Sequence, residues 1–322
     1  MALKSIFLMR NRLLMVGILS LAPCILSAQS FLGLSNDDFG PRQSLYLDSE
    51  VYPSTRLDQE LLRIVYDCRL SLEEKAEAGA PIVIQVGSVR EVIEGNGNPD
   101  MEIRGRYVLQ VGADVTKFVS EQRFRSDSVF LGGGSFRQAA PFLNGKANAI
   151  FSQDCIYRSV RDNKLTFTGR LAADDFLYEE SLPEVNWQIR DSTKTVCGYI
   201  CRLAEGDFRG REYRAWFTEA ISTSVGPWKL QGLPGAILHV EESQGKMSMI
   251  AVDVMAGRGG IYRTDYPYIR VSRKQYAKLR EDMRKDPGYF RASHSSRSGW
   301  TTTISADYIP TPLPRFTVLE KD

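Results

Sequence analysis

Two histidines, His239 and His294, are all that 322 residues offer for imidazole chemistry. A serine hydrolase would need one of them as its general base. His239 shares a period-2 face with Glu241, which could orient an imidazole. No GxSxG elbow accompanies it; Ser224-Val225-Gly226 comes nearest, with Ser222 where the first glycine would stand. His294 lies in the serine-rich SHSSRS stretch, which reads as a loop. There is no HExxH for a zinc peptidase. The Leu131–Phe136 run, LGGGSF, lacks the GxxxxGK[ST] pattern of a phosphate cradle and reads as a linker. Asp and Glu are too frequent for spacing alone to single out a glycosidase pair. The residues therefore point to binding rather than catalysis, with no cofactor and no metal expected.

The cysteines depend on how the chain begins. Residues 1–28 combine Lys4, Arg10 and Arg12 with an apolar run from Leu13 to Leu26 and small residues at Ser27-Ala28, the pattern of a cleaved signal peptide. The run is shorter than the ~20 residues of a spanning helix, so the mature chain is expected to be soluble. Cleavage removes three cations and Cys24. The formal charge then moves from +2 to 38 basic against 39 acidic side chains, or −1, which does not suit a nucleic-acid binder. Four cysteines remain: Cys68, Cys155, Cys197 and Cys201. An even number in an exported chain suits disulfides. Lys194–Leu203 reads as one strand, which would hold Cys197 and Cys201 ~13 Å apart, too far to bridge. Cys68 and Cys155 would then pair with Cys197 and Cys201 in either order, or some thiols stay free and buried. A four-thiolate metal site lacks CxxC spacing.

The rest is a succession of short apolar or alternating runs separated by Gly, Pro, Asn and Asp. After a polar lead-in over 29–57, residues 58–322 read as one β-rich domain with a Pro-rich tail at Ile309–Arg315. Asp58–Cys68 is ambiguous between helix and strand, and Ser71–Ala80 reads as a short helical or solvated insertion. Strands are expected at Ile82–Val86, Arg90–Ile93, Arg106–Gln110, Thr116–Ser120, Asn148–Val160, Lys164–Thr168, Val185–Ile189, Thr195–Leu203, Glu212–Thr218, Ala236–Val240 and Lys246–Val254. One helix is expected at Ser272–Arg284, with Tyr276, Leu279 and Met283 as its apolar stripe and Pro287-Gly288 as its stop. The predicted fold is mainly β, a large antiparallel sheet with few helices.

One stretch stands out. Gly232-Leu233-Pro234-Gly235-Ala236-Ile237 is preceded by Gly226-Pro227-Trp228, by Ala215-Trp216-Phe217-Thr218, by Phe208-Arg209-Gly210-Arg211, by Gly198-Tyr199 with Cys201, and by Trp187. In this order the motifs resemble the GLPGLI family of exported Gram-negative envelope proteins, whose function is unresolved. The match is close over Thr193–Glu242, with Ala236 where the family usually has leucine. Arg106–Ser120 resembles the family's earlier strand pair.

Physically, Pro234 cannot donate to a ladder and the two glycines permit positive φ, so GLPG should break the chain just before a strand. That break is either a curvature device with aromatic packing or a recognition patch of Trp187, Tyr199, Trp216, Trp228 and exposed backbone. Arg209 and Arg211 would share a face and either grip an anionic group or pair with Asp207 or Glu212. By analogy, a curved sheet could form a half-barrel like that of LolA-like lipoprotein carriers. The expected function is non-catalytic binding in the periplasm or at the periplasmic face of the outer membrane. The ligand would be apolar, held in a concave pocket near Trp187, Trp216 and Trp228, or the protein would dock on an outer-membrane transporter or assembly partner. A hydrolase unrecognised from sequence is the third possibility, and it would bring His239 or carboxylates together in a cleft.

Overall fold

The computed structural model describes residues 53–71, 82–86, 89–93, 102–134, 138–139, 154–171, 174–294 and 320. The chain is mainly β. Strands β1 (Ser54–Gln59), β2 (Leu62–Ser71), β3 (Ile82–Val86), β4 (Val89–Ile93), β5 (Glu102–Val111) and β6 (Val115–Ser120) lead to helix α1 (Glu121–Leu131). There follow β7 (Cys155–Ser159), β8 (Lys164–Leu171), β9 (Asp174–Ser181), β10 (Asn186–Val196), β11 (Tyr199–Phe208), β12 (Arg211–Thr218), β13 (Ala236–Glu242), β14 (Met247–Ala256), β15 (Gly260–Thr264) and β16 (Ile269–Arg270). Helices α2 (Arg273–Lys285) and α3 (Pro287–Ser293) close the described fold.

Twelve strands form one open sheet in the order β10-β11-β12-β13-β14-β2-β5-β6-β7-β8-β9-β16, all antiparallel except the β9–β16 edge. β10 to β14 are a meander, β5 to β9 are a second, and β14 pairs with β2 to join them. The two meanders end at β9, whose outer edge carries the two-residue β16, and at β10, and β9 and β10 are consecutive in sequence. In a flat sheet those two would stand about 48 Å apart, ten strand spacings. Residues 182–185 must join them, and that connection reaches about 17 Å at full stretch. The sheet therefore has to curl. Register shifts at Ile189/Thr193, Trp216/Phe217 and Ala251/Asp253 supply bends. We call the gap between β9 and β10 the seam.

The inner face carries the main core: Tyr66, Leu109, Phe118, Leu165, Phe167, Tyr178, Tyr213, Phe217 and Val240 among others. Alternation explains it, since β12 buries Arg211, Tyr213, Ala215 and Phe217 and turns Glu212 and Arg214 outward. A smaller core on the other face joins Val65, Val108, Val119, Cys155 and Tyr157, with Phe124 of α1 packed on it. α2 begins with a capping box: Ser272 accepts from the Gln275 backbone and the Gln275 side chain accepts from the Ser272 backbone. It inserts Tyr276 among Phe167, Phe176 and Tyr178.

Several expectations need correction. The end of the lead-in forms β1, and Asp58–Cys68 is the end of β1 followed by β2. Glu121–Leu131 is a helix capped by Ser120, so of the expected Leu131–Phe136 loop Leu131 is helical and residues 135–136 lie outside the described residues; the helix's weak amphipathicity hid it. Pro287 does not only end α2 but opens α3, since proline suits a first helical turn. β9 and β15 were not foreseen. Most important, Thr195–Leu203 is not one strand. Cys197 (φ +49°) and Gly198 (φ +83°) form a two-residue turn between paired Val196 and Tyr199. The argument that kept Cys197 from Cys201 along a strand therefore fails. No disulfide forms among the described residues, where Cys68, Cys155, Cys197 and Cys201 are all free thiols. Cys68 and Cys155 face opposite cores, three strand spacings or about 14 Å apart. Cys201 lies on β11, four strands along the sheet from Cys68 on β2. Ser71–Ala80 (beyond Ser71), most of Asn148–Asp154 and the tail at Ile309–Arg315 lie outside the described residues.

Candidate functional site

The sequence motifs converge on the connection between β12 and β13, residues 219–235. Rather than projecting into solvent, this segment folds into the curl of the sheet, where Val225, Trp228, Leu230 and Leu233 are all buried in the main core. Gly226 and Pro227 are buried with them. Arg158 of β7 fixes the first bend, donating to the carbonyls of Leu230 (3.0 Å) and Gly226 (2.8 Å) and to the Thr116 hydroxyl (2.9 Å). It is buried, and burial lowers its pKa to about 10.

The second bend is GLPG itself. Gly232 has φ +96° and donates its N–H to Ser224 Oγ at 3.1 Å. Leu233 points into the core while Pro234 stays exposed. At Gly235 a Cβ would lie 2.1 Å from the Thr218 carbonyl oxygen, so no side chain fits. Trp187, at the start of β10, is half-buried and donates its indole N–H to the Gln231 carbonyl at 2.7 Å. Gly206 lies opposite Trp187 in register, and a Cβ there would meet the indole at 2.8 Å. GLPG is thus a bent plug clamped to the seam strand.

Trp228 (φ +54°) meets Phe208 edge-on at 5.6 Å. Trp216 alternates to the other side of β12, so the two do not flank one bend, and the three tryptophans do not line one pocket. Tyr199 is partly buried against the core.

Arg209 and Arg211 are also separated. Arg209 (φ +46°) and Gly210 form the two-residue turn between β11 and β12. Arg211 is buried and pairs across the sheet with Glu242 at 3.4 Å, beside a polar hollow of about 380 Å³ lined by Asp207, Gly210, Glu212, Ser243 and Gln244. Arg209 instead reaches the seam and joins a charged cluster that no motif announced. At its centre Lys229 is 1% exposed and donates to the Tyr178 hydroxyl at 2.9 Å and to Glu180 at 3.2 Å, and it also pairs with Glu320. Arg209 pairs with Glu180 at 2.8 Å and with Glu320. Arg273, the first residue of α2, lies 3.7 Å from Glu180 and 3.3 Å from Glu320. Burial lowers the Lys229 pKa, opposed by the two carboxylates. Burial alone would raise the Glu180 carboxyl, but Lys229 and Arg209 hold it below the ordinary value.

On the outer face, His239 contacts Lys194 through Nδ1 and lies 3.2 Å from Ser248 Oγ through Nε2. Lys194 also sits 4.2 Å from the centre of the Trp216 ring. β10 and β13 are three places apart in the sheet, so the bulged β10–β11 tip curls over its face. Burial, then Lys194, lowers the His239 pKa to about 4. Nδ1 faces the Lys194 amine and Nε2 the Ser248 hydroxyl, so a lysine stands where a hydrolase places the carboxylate that orients its base.

No protein-family model matches the chain, and no curated protein matches it. Among solved structures it is similar to PNGF-II in the P21 and C2 crystal forms. Identities are 13% and 12%, with TM-scores of 0.42 and 0.39 over 68% and 67% of this chain. In both cases it spans 32% of the other chain's length. A likeness that loose says nothing of the site. Among the described residues no helix is long and apolar enough to cross a membrane and no metal-ligand cluster forms.

Proposed function

We propose that the protein is a non-catalytic, exported component of the bacterial envelope that docks an extended segment of a partner protein at the seam. The resemblance to the GLPGLI family supports the setting. The observation that carries the docking mode is β10. It is the first strand of the open sheet, eleven residues long and exposed over most of its length, and its outer edge pairs with no strand among the described residues. Such an edge offers unpaired backbone N–H and C=O groups, the template for strand addition. Near it Ile189 is exposed, and Ile200 of β11 is 74% exposed. The interior beside Trp228 is filled by the protein's own 219–235 segment, which favours a protein partner over an apolar ligand held in the curl.

A photo-crosslinking residue at Gln188 in the native envelope should give one protein adduct of defined mass. The same residue at Arg104, exposed on β5, should give none. Lipid co-purifying in stoichiometric amount, with no adduct at position 188, would overturn the reading in favour of an apolar cargo.

A further inference from the structure

Glu180 touches each of the three cations at the seam: Arg209, Lys229 and Arg273. The three are therefore oriented toward one point by a resident acid, whether or not Glu320 is there. Glu180 belongs to β9, Arg209 to the β11–β12 turn, Lys229 to the buried plug and Arg273 to the capped start of α2. All four positions are held by elements already fixed by other contacts. Without Glu320, Arg209 and Lys229 would share the single charge of Glu180, with the lysine on the floor almost wholly removed from water. A buried excess of positive charge is costly unless an anion completes it. Glu320 completes it, touching Lys229, Arg209 and Arg273 with one carboxylate. The side chains at the rim stay partly open to solvent, Arg209 at 20%, Arg273 at 25% and Glu320 at 15%. Trp228 lies under Lys229 and Phe208 beside Arg209, so the walls are aromatic.

We propose that Lys229, Arg209 and Arg273 form a preorganised anion-binding site that the chain occupies with its own Glu320. Its external ligand is a small anionic oxygen group, a carboxylate or a phosphate, which enters when Glu320 leaves. A guanidinium fork suits either oxyanion, and the ammonium floor adds a point charge. This inference stands apart from docking at β10, since the two use different atoms of the seam.

The test is calorimetric titration of the full chain with inorganic phosphate and with glutarate, at constant ionic strength. Glu320→Gln should bind one equivalent of phosphate or glutarate at least tenfold more tightly than the wild type. Adding Arg209→Gln to Glu320→Gln should abolish that gain. A preference for glutarate would identify a carboxylate ligand and a preference for phosphate a phosphorylated one; either supports the site. Equal binding by wild type and Glu320→Gln, with both folded by circular dichroism, would overturn it. If Glu320→Gln does not fold, the wild type decides: phosphate should raise its melting temperature above that in chloride of equal ionic strength. Equal melting temperatures would count against the site.

Discussion

Lys229 and Lys194 are the same residue in two settings of the same molecule, and each lies over a tryptophan ring, Trp228 at 5.7 Å and Trp216 at 4.2 Å. Lys229 faces inward and is met by two carboxylates. Lys194 faces outward and is met by a histidine. Burial lowers the pKa of both. At the seam the opposing charges keep a buried ammonium in place. On the outer face burial first, and then the lysine, keeps the neighbouring histidine neutral. A buried charge thus has two outcomes: it recruits a counter-charge, or it discharges a titratable neighbour. The first makes a rigid charged floor and the second a histidine kept neutral beside a lysine.

Three experiments would break or sharpen that contrast. The largest effect is expected at the seam. Lys229→Met leaves Glu180 and Glu320 partly buried and short of one cation, and should cost about 4 kcal/mol of stability, read as a shift in the urea midpoint. A loss below about 1 kcal/mol would mean that the two arginines suffice.

The second uses pH. His239 has its pKa lowered to about 4. Below its ordinary value the unfolded chain takes a proton that the folded chain refuses, so stability falls between about pH 6.5 and 4, by about 3 kcal/mol in all. Asp154 has the opposite sign. Burial, opposed by Arg280, raises its pKa to about 6, so the folded chain takes up a proton first and gains stability as pH falls through that value. The two effects offset each other in the native protein. Compared with the wild type, His239→Gln should therefore lose less stability on acidification from pH 7 to 4, and Asp154→Asn should lose more. Identical pH profiles for the two variants would refute the assignment.

The smallest effect belongs to Lys194. Lys194→Met removes the contact with the Trp216 ring and should cost about 0.5–1 kcal/mol. It also removes the charge facing Nδ1, so the His239 pKa should rise, measurable by NMR titration. An unchanged titration would mean that burial alone sets it.

Much of the fold was legible because alternation is local. The Glu212–Thr218, Ala236–Val240 and Lys246–Val254 runs show their buried faces in sequence, and all three are strands. The GLPG break before Ala236–Val240 was legible from proline and glycine chemistry, although its burial as a plug was not. What escaped was either weakly patterned or distant. Helix α1 has little apolar periodicity. The Cys197-Gly198 turn was missed because a cysteine rarely adopts positive φ, so only its glycine signalled a turn. The charged cluster could not be found at all, since Lys229 meets partners 49 and 91 residues away along the chain. Arg209 and Arg211 look alternate in sequence, yet a turn lies between them and sends them to different acids.

The joining of the two meanders at β2 has a consequence for the order in which the molecule is made. Most neighbours within β5 to β9 and β10 to β14 are hairpins closed by two to four residues, although 34 residues separate β6 from β7 and 17 separate β12 from β13, so most of each meander can form as soon as its residues are available. β2 emerges early but finds its β14 partner only when Met247–Ala256 has been synthesised. Until then one flank of β2, carrying Ile64, Tyr66 and Leu70, has no strand beside it. With the pairing of β1 and β15, this is the longest-range closure among the described strands, and it turns two separate ribbons into a continuous wall. A chain delivered across a membrane from its amino end would spend that interval with its central strand exposed, the state in which a nascent β protein is most prone to aggregate.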